Sequence, residues 1–384
     1  MGIRSGLAVA LCVSVALIGT ASANAANPTT VSAFGIGSYK SEWLAGYNGT
    51  NGLDVNGLFD LAVAGQANIK LYRARFREDQ VLSNGAFTQW TMLDNLVRQA
   101  ALRDITLEPV LINMPGEVYT PPLTVADRTT FGNFATAAAR RYGPTGSFWA
   151  GCGCAPHPIK VWEVWNEENI APFWNPPNPG QYGALLAGVR AKLRAVDPGA
   201  RILMGGLAYP SSLSATKMDA NAFLQQTIAA AGTNSFDAVA VHVYASDANK
   251  AVNTLVAGTV NTLKTYAGSS AGAPRQQVWL NEFARPTSLD DPATATDELA
   301  ASEATQRAWL DQLLSLLLPN RASWNLGPVS WYALRDYKDP STASLRYGLR
   351  LTKPDDTDAG PKLGWSDYAG RSASAAQLPL PVVR

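Results

Sequence analysis

Apolar residues along this chain recur in two alternating rhythms. Short β-like runs, rich in branched and aromatic side chains, fall at 32–38, 69–75, 106–112, 159–165, 201–207, 236–243, 277–281 and 328–333. Between them lie longer stretches with helical spacing. The clearest is the segment 182–196, where Tyr182, Leu185, Leu186, Val189, Leu193 and Val196 fall three or four apart and form one apolar face. The segments 92–103, 131–141, 223–231, 252–266 and 298–318 read the same way, with a weaker helical pattern at 53–63. Pro198-Gly199 punctuates the step from helix to strand.

Eight strand–helix repeats predict an α/β protein, a single-domain (β/α)₈ TIM barrel over residues 26–373. The near-continuous apolar character of the strands fits, because strands of such a barrel are covered on both faces. A doubly wound sheet would carry a glycine-rich turn after its first strand. Here Phe34-Gly35-Ile36-Gly37-Ser38 supplies only G-x-G. Residues 374–384 read as a C-terminal tail, irregularly packed or disordered.

The first 25 residues read as a secretory signal peptide: Arg4, an apolar stretch from Leu7 to Ile18, then Ala23-Asn24-Ala25 as a small-residue cleavage site. That predicts a secreted or periplasmic protein, and no later run has the roughly 20 apolar residues of a membrane span. The formal charge of +1 and the lack of any Lys/Arg cluster argue against a nucleic-acid partner. Of the three cysteines, Cys12 lies in the leader. Cys152 and Cys154, in one short loop, read as a small disulfide; as metal ligands they would have only His157 for company.

Candidate chemistry sits where strands end. In such barrels the reacting groups lie at the C-terminal ends of the strands. Those ends supply Arg73 and Arg75, Asn113, Asn166 and Glu167, His242 and Tyr244, Glu282, and Trp331. Two carboxylates with amides, a histidine, a tyrosine and an indole suit glycosidic cleavage. One carboxyl group protonates the leaving oxygen while the other attacks the sugar. No metal or organic cofactor is implied.

Trp165-Asn166-Glu167 after the fourth strand, His242-x-Tyr244 after the sixth and Glu282 after the seventh resemble clan A glycoside hydrolases. The text VWNEEN…FW…YGALLAGVRAKLRAVDPGARILMGGLA is similar to the family 39 branch, as is the late Tyr347-Gly348-Leu349…Pro361-Lys362-Leu363-Gly364-Trp365. The resemblance spans roughly residues 34–373. It implies that Glu167 is the general acid/base and Glu282 the nucleophile of a retaining hydrolase of β-glycosides. It further implies that Asn166 grips the sugar 2-hydroxyl, Tyr244 holds the nucleophile, Arg73 lies beneath it and Trp331 floors the subsite. Where some clan A families carry a histidine after strand three, this chain offers Asn113.

Strand alternation places Glu163, Trp165 and Glu167 on one side and Glu168 on the other. Glu163, inside its strand, reads as the partner of an arginine in a buried ion pair. Trp162 and Trp279 read as core, while Trp43, Trp90 and Trp174 divide between packing and outer sugar subsites. The expected partner is a carbohydrate and the expected state a monomer. Two other readings stay open: a transglycosylase using the same groups, and a catalytically silent carbohydrate-binding barrel.

Overall fold

The computed structural model describes residues 29–37, 55–210, 212–288, 299–336, 345–352 and 358–383. The segment expected to be a signal peptide, Ser38, Trp43 and most of the loop after the seventh strand lie outside these residues.

Eight parallel strands close into a barrel: β1 (Phe34–Gly37), β2 (Leu71–Arg77), β3 (Thr106–Ile112), β4 (Val161–Val164), β5 (Arg201–Leu207), β6 (Ala238–Tyr244), β7 (Gln277–Ala284) and β8 (Leu326–Tyr332). Each neighbours the next in sequence and β8 pairs with β1, so no edge is left open. All eight apolar runs are therefore barrel strands. The boundary that matters most is that of β7, which continues three residues beyond the sequence expectation and carries Glu282 inside the strand.

Around the barrel pack α1 (Val55–Gln66), α2 (Thr91–Ala101), α3 (Val125–Tyr142), α4 (Pro179–Val196), α5 (Ala220–Ala231), α6 (Ala257–Tyr266), α7 (Glu303–Leu317) and α8 (Trp365–Ala373). Their starts are written in the sequence. Thr124 and Asp127 form a reciprocal capping box on α3, and Asn178 caps α4 ahead of Pro179. Asp219 and Ser302 cap α5 and α7. The buried residues of α4 include Tyr182, Leu185, Leu186, Val189 and Leu193, most of the face read from the spacing. No helix among the described residues is long and apolar enough to cross a membrane.

The tail corrects its expectation. Gln377–Pro379 pairs antiparallel with Thr30–Ser32. The Gln277 side chain donates to the Pro379 carbonyl, and Arg201 donates to that of Pro381. Leu380 is buried with Val31, Leu71, Val161, Leu203, Ala238, Ala240 and Trp279 in a small cluster of its own. Burying that apolar end, and giving its backbone partners, outweighs the weak local propensity that reads as disorder. Cys152 and Cys154 are joined in a disulfide.

Candidate active site

Arg73, in mid-β2, organises the upper barrel interior. Its Nε and Nη2 donate to the two carboxyl oxygens of Glu163 on β4, at 2.7 and 2.9 Å. Nη2 also donates to Asn166 Oδ1 at 2.8 Å, and Nη1 donates to Glu282 Oε1. One guanidinium thus holds side chains from the fourth and seventh strand positions, a fixed fork that lysine could not reproduce. The sequence suggests a buried arginine partner for Glu163, and that arginine is Arg73.

Glu282 is reached from a second side. Tyr244 OH, two residues beyond His242 on β6, donates to Glu282 Oε2 at 2.5 Å. His242 and Glu282 are register partners across β6 and β7, above a register shift that begins at Trp279. Burial pushes the Glu282 carboxyl up, but His242, Arg73 and the Tyr244 hydroxyl outweigh it and hold the group below the ordinary glutamate value. Burial and the Glu282 charge drive Tyr244 well above the usual phenol range, which keeps it a neutral donor.

His242 links the two candidate carboxylates. Its Nδ1 lies 2.7 Å from Glu167 Oε1 and 3.5 Å from Glu282 Oε2. Burial pulls the imidazole down, but the two glutamates raise it overall. The far edge of the ring rests on β5, where a Cβ on Gly206 would come within 1.8 Å of Nε2. Only glycine admits the ring there. Beside it, a Cβ on Gly205 would meet Glu168 Oε2 at 2.4 Å.

Glu167 reaches this cluster, but not by strand alternation. β4 ends at Val164, and both Trp165 and Glu167 have left-handed backbone, φ 73° and 46°. That turn sends the Trp165 ring outward among Phe131, Trp174 and Tyr119. Trp165 and Glu163 are therefore on different sides, contrary to the pattern expected from the sequence. Two non-glycine residues with positive φ around Asn166 mark stored backbone strain, of the kind held in place only by surrounding contacts. Glu168 turns away from Glu167 and is fully buried beside Tyr182; burial pushes its carboxyl up to about 8.

Trp331 is a correction. It is wholly buried against Phe283, Trp309 and Tyr368, with its indole N–H donated to the Tyr347 carbonyl. Alternation along β8 turns it toward the helices. The next residue, Tyr332, is half-buried and meets Tyr244 and Tyr347 ring to ring at 6.2 and 6.3 Å. Asn113 sits half-buried just past β3, and among the described residues its side chain joins none of these hydrogen bonds. Trp90 and Trp174 are packing residues, stacked on Phe134 and set edge-on to Tyr182 respectively.

One oxygen each from Glu167 and Glu282 and one nitrogen of His242 lie within 4.8 Å of one another. A cation could reach all three. Arg73 and Tyr244 already donate to both oxygens of Glu282. Glu108, well inside its strand rather than at the strand end, also belongs here. Mid-strand on β3 and buried, it accepts from Asn281 Nδ2 at 2.9 Å. A glutamate inside an apolar run, its asparagine partner four strands and 173 residues further along the chain, gives no local signal of that contact.

The barrel is similar in fold to solved structures of glycosidases. A family 39 glycoside hydrolase from Bacteroides cellulosilyticus superimposes with a TM-score of 0.58 at 16% identity, covering 89% of this chain and 63% of that one. A monomeric β-xylosidase from Caulobacter crescentus gives 0.60 at 16%, covering 91% and 70%. A family 51 α-L-arabinofuranosidase from Bifidobacterium longum gives 0.58 at 12%, covering 94% and 80%. The chain shares the (β/α)₈ fold of these glycosidases. It spans less than two thirds of the length of the Bacteroides protein. No family model and no curated protein sequence matches it.

Proposed function

We propose that this protein is a secreted, monomeric glycoside hydrolase that cleaves β-glycosidic bonds with retention of configuration. The observation that carries the reading is the pair Glu167 and Glu282, delivered from opposite sides of the barrel mouth with oxygens within 4.8 Å of each other. Retaining enzymes hold their carboxyl groups about 5–5.5 Å apart, whereas inverting enzymes leave about 6.5–9.5 Å for a water.

In this reading Glu282, kept ionised by Arg73, His242 and Tyr244, attacks the anomeric carbon. Glu167 protonates the departing glycosidic oxygen, then takes a proton from the water that cleaves the covalent glycosyl–enzyme. His242, with Nδ1 2.7 Å from Glu167 Oε1 and 3.5 Å from Glu282 Oε2, couples the two carboxylates electrostatically as Glu167 gives up its proton to the glycosidic oxygen. Asn166 accepts from Arg73 through Oδ1, which leaves its amide nitrogen to donate to a sugar hydroxyl. Tyr332 takes the place expected of Trp331 as an aromatic platform, its apolar ring suited to a sugar face.

The test is hydrolysis of a panel of aryl glycosides and polysaccharides, xylosides and arabinofuranosides among them, by wild type and Glu282→Gln in parallel. The reading expects sugar release by wild type, with the anomeric configuration retained in the first-formed product, and none by the variant. Sugar binding by both proteins without release by either would instead make this a silent binding barrel.

A further inference from the structure

Directly beneath the site, two strands on opposite sides of the barrel touch through Glu108 on β3 and Asn281 on β7. The contact uses one atom of each side chain, Asn281 Nδ2 donating to Glu108 Oε1 at 2.9 Å. Their other atoms, Glu108 Oε2 and Asn281 Oδ1, are both buried without a hydrogen-bond partner. Two buried oxygens of adjoining residues cannot satisfy each other unless one carries a proton. Leaving both bare would cost about 1–3 kcal/mol apiece.

The groups facing Glu108 point the same way. Arg73 is its register partner on β2, Glu163 lies on β4, and Glu282 and Asn281 lie on β7. Four of the five Arg73 N–H groups go to Glu163, Asn166 and Glu282, and none is hydrogen-bonded to Glu108. A third carboxylate in that space would compete with Glu282 for one positive charge. Burial, with Glu163 beside it, pushes the Glu108 carboxyl up to about 8 against the pull of Arg73.

We propose that Glu108 is a protonated positioning residue, joined to Asn281 as a cyclic acid–amide pair that spans the barrel and reserves the charge of Arg73 for Glu163 and Glu282. The proton on Oε2 supplies the donor that Asn281 Oδ1 lacks. The pair also fixes the span between β3 and β7, and so the height at which Glu282 stands, one residue beyond Asn281. For catalysis this rests on the glycosidase reading above; the protonation state itself does not.

The deciding variant is Glu108→Gln, because an amide reproduces both hydrogen bonds of the neutral acid and neither the charge nor the acceptor capacity of a carboxylate. Melting temperature is measured against pH for both proteins. A buried glutamate whose folded pKa is raised loses stability as pH climbs from its unfolded value toward its folded one. Wild type and variant should therefore melt together near pH 4, and the variant should gain steadily up to about pH 8, then hold a constant advantage. A variant that melts below wild type at neutral pH, or fails to fold, shows an ionised Glu108 serving Arg73 and overturns the proposal. Infrared difference spectra of wild type supply a second reading: a protonated-carboxyl band at pH 6 that is missing from Glu108→Gln supports it, and identical spectra defeat it. Where turnover is found, the acidic limb of kcat/KM must stay within about 0.3 pH unit in the variant. A downward move means a negative neighbour has been removed from Glu282. If no substrate is turned over, the melting and infrared results still stand, so failure of the glycosidase reading is distinguishable from failure of this one.

Discussion

The two ends of this barrel are made of the same eight strands and obey opposite rules. At the base, Val31, Leu71, Val161, Leu203, Ala238, Ala240, Trp279 and Leu380 form an apolar plug, closed by the pairing of residues 377–379 with 30–32. At the mouth, Arg73, Glu108, Glu163, Glu167, His242 and Glu282 are all buried and all ionisable. The base gains free energy from nearly every side chain it buries. The mouth spends it, since each desolvated charge is tolerable only while its partners stay in place. The mouth has its own local devices: Trp165 and Glu167 with positive φ, and Gly205 and Gly206 making room for Glu168 and His242.

This contrast can be broken most sharply at the mouth. Glu282→Gln should cut kcat/KM on the order of 10⁴-fold or more while the protein still shows native near-ultraviolet circular dichroism. Glu167→Gln should lose about 10²–10⁴-fold, and least on aryl glycosides whose leaving groups need no proton. A uniform loss across leaving groups would remove Glu167 from the acid role.

The base should answer in stability instead. Trp279→Ala, which empties a fully buried site, should cost about 3–5 kcal/mol in denaturant unfolding with kcat/KM altered only through the folded fraction. Deleting residues 374–383 should cost about 2–4 kcal/mol, for the exposure of Leu380 and the loss of its strand pairing. If that deletion changes turnover more than stability, the separation of the two ends is wrong.

The smallest effect concerns the cost of burying acids. Glu168 is raised to about 8 from an ordinary glutamate value by burial. Its unfolded form ionises first, so stability falls as pH rises between about 4.5 and about 8. Glu168→Gln should match wild type at pH 4 and exceed it by about 1–3 kcal/mol at pH 8. Ion pairing at Glu282 works in the opposite sense. Its lowered pKa adds stability above the ordinary glutamate range, and that stability is lost as pH falls through the folded value.

The strand positions of Arg73, Asn166, Glu167, His242, Tyr244 and Glu282 were all legible in the sequence, because each lies at or near the end of an apolar run. Three things were not. Trp331 and Tyr332 are adjacent, and which one faces the mouth depends on the register of β8, a one-residue choice that flips the face. The reach of Glu167 follows from a left-handed turn, invisible to a pattern of period two. Glu108 meets Asn281 across 173 residues of sequence separation, where no local spacing can signal contact.

Sequence alone determined the eightfold alternation, the helix caps and the residue types at the strand ends, because burial on both faces and capping chemistry are written locally. It also carried the acidic pair within a predicted site. Tertiary structure alone decided which groups share a charge. Closing the barrel brings β2, β3, β4, β6 and β7 to one lumen, where Arg73 is divided between Glu163 and Glu282 and His242 stands between two carboxylates. Hydrogen bonds and Coulomb forces act over a few ångströms of space, and the chain's own order does not contain that distance.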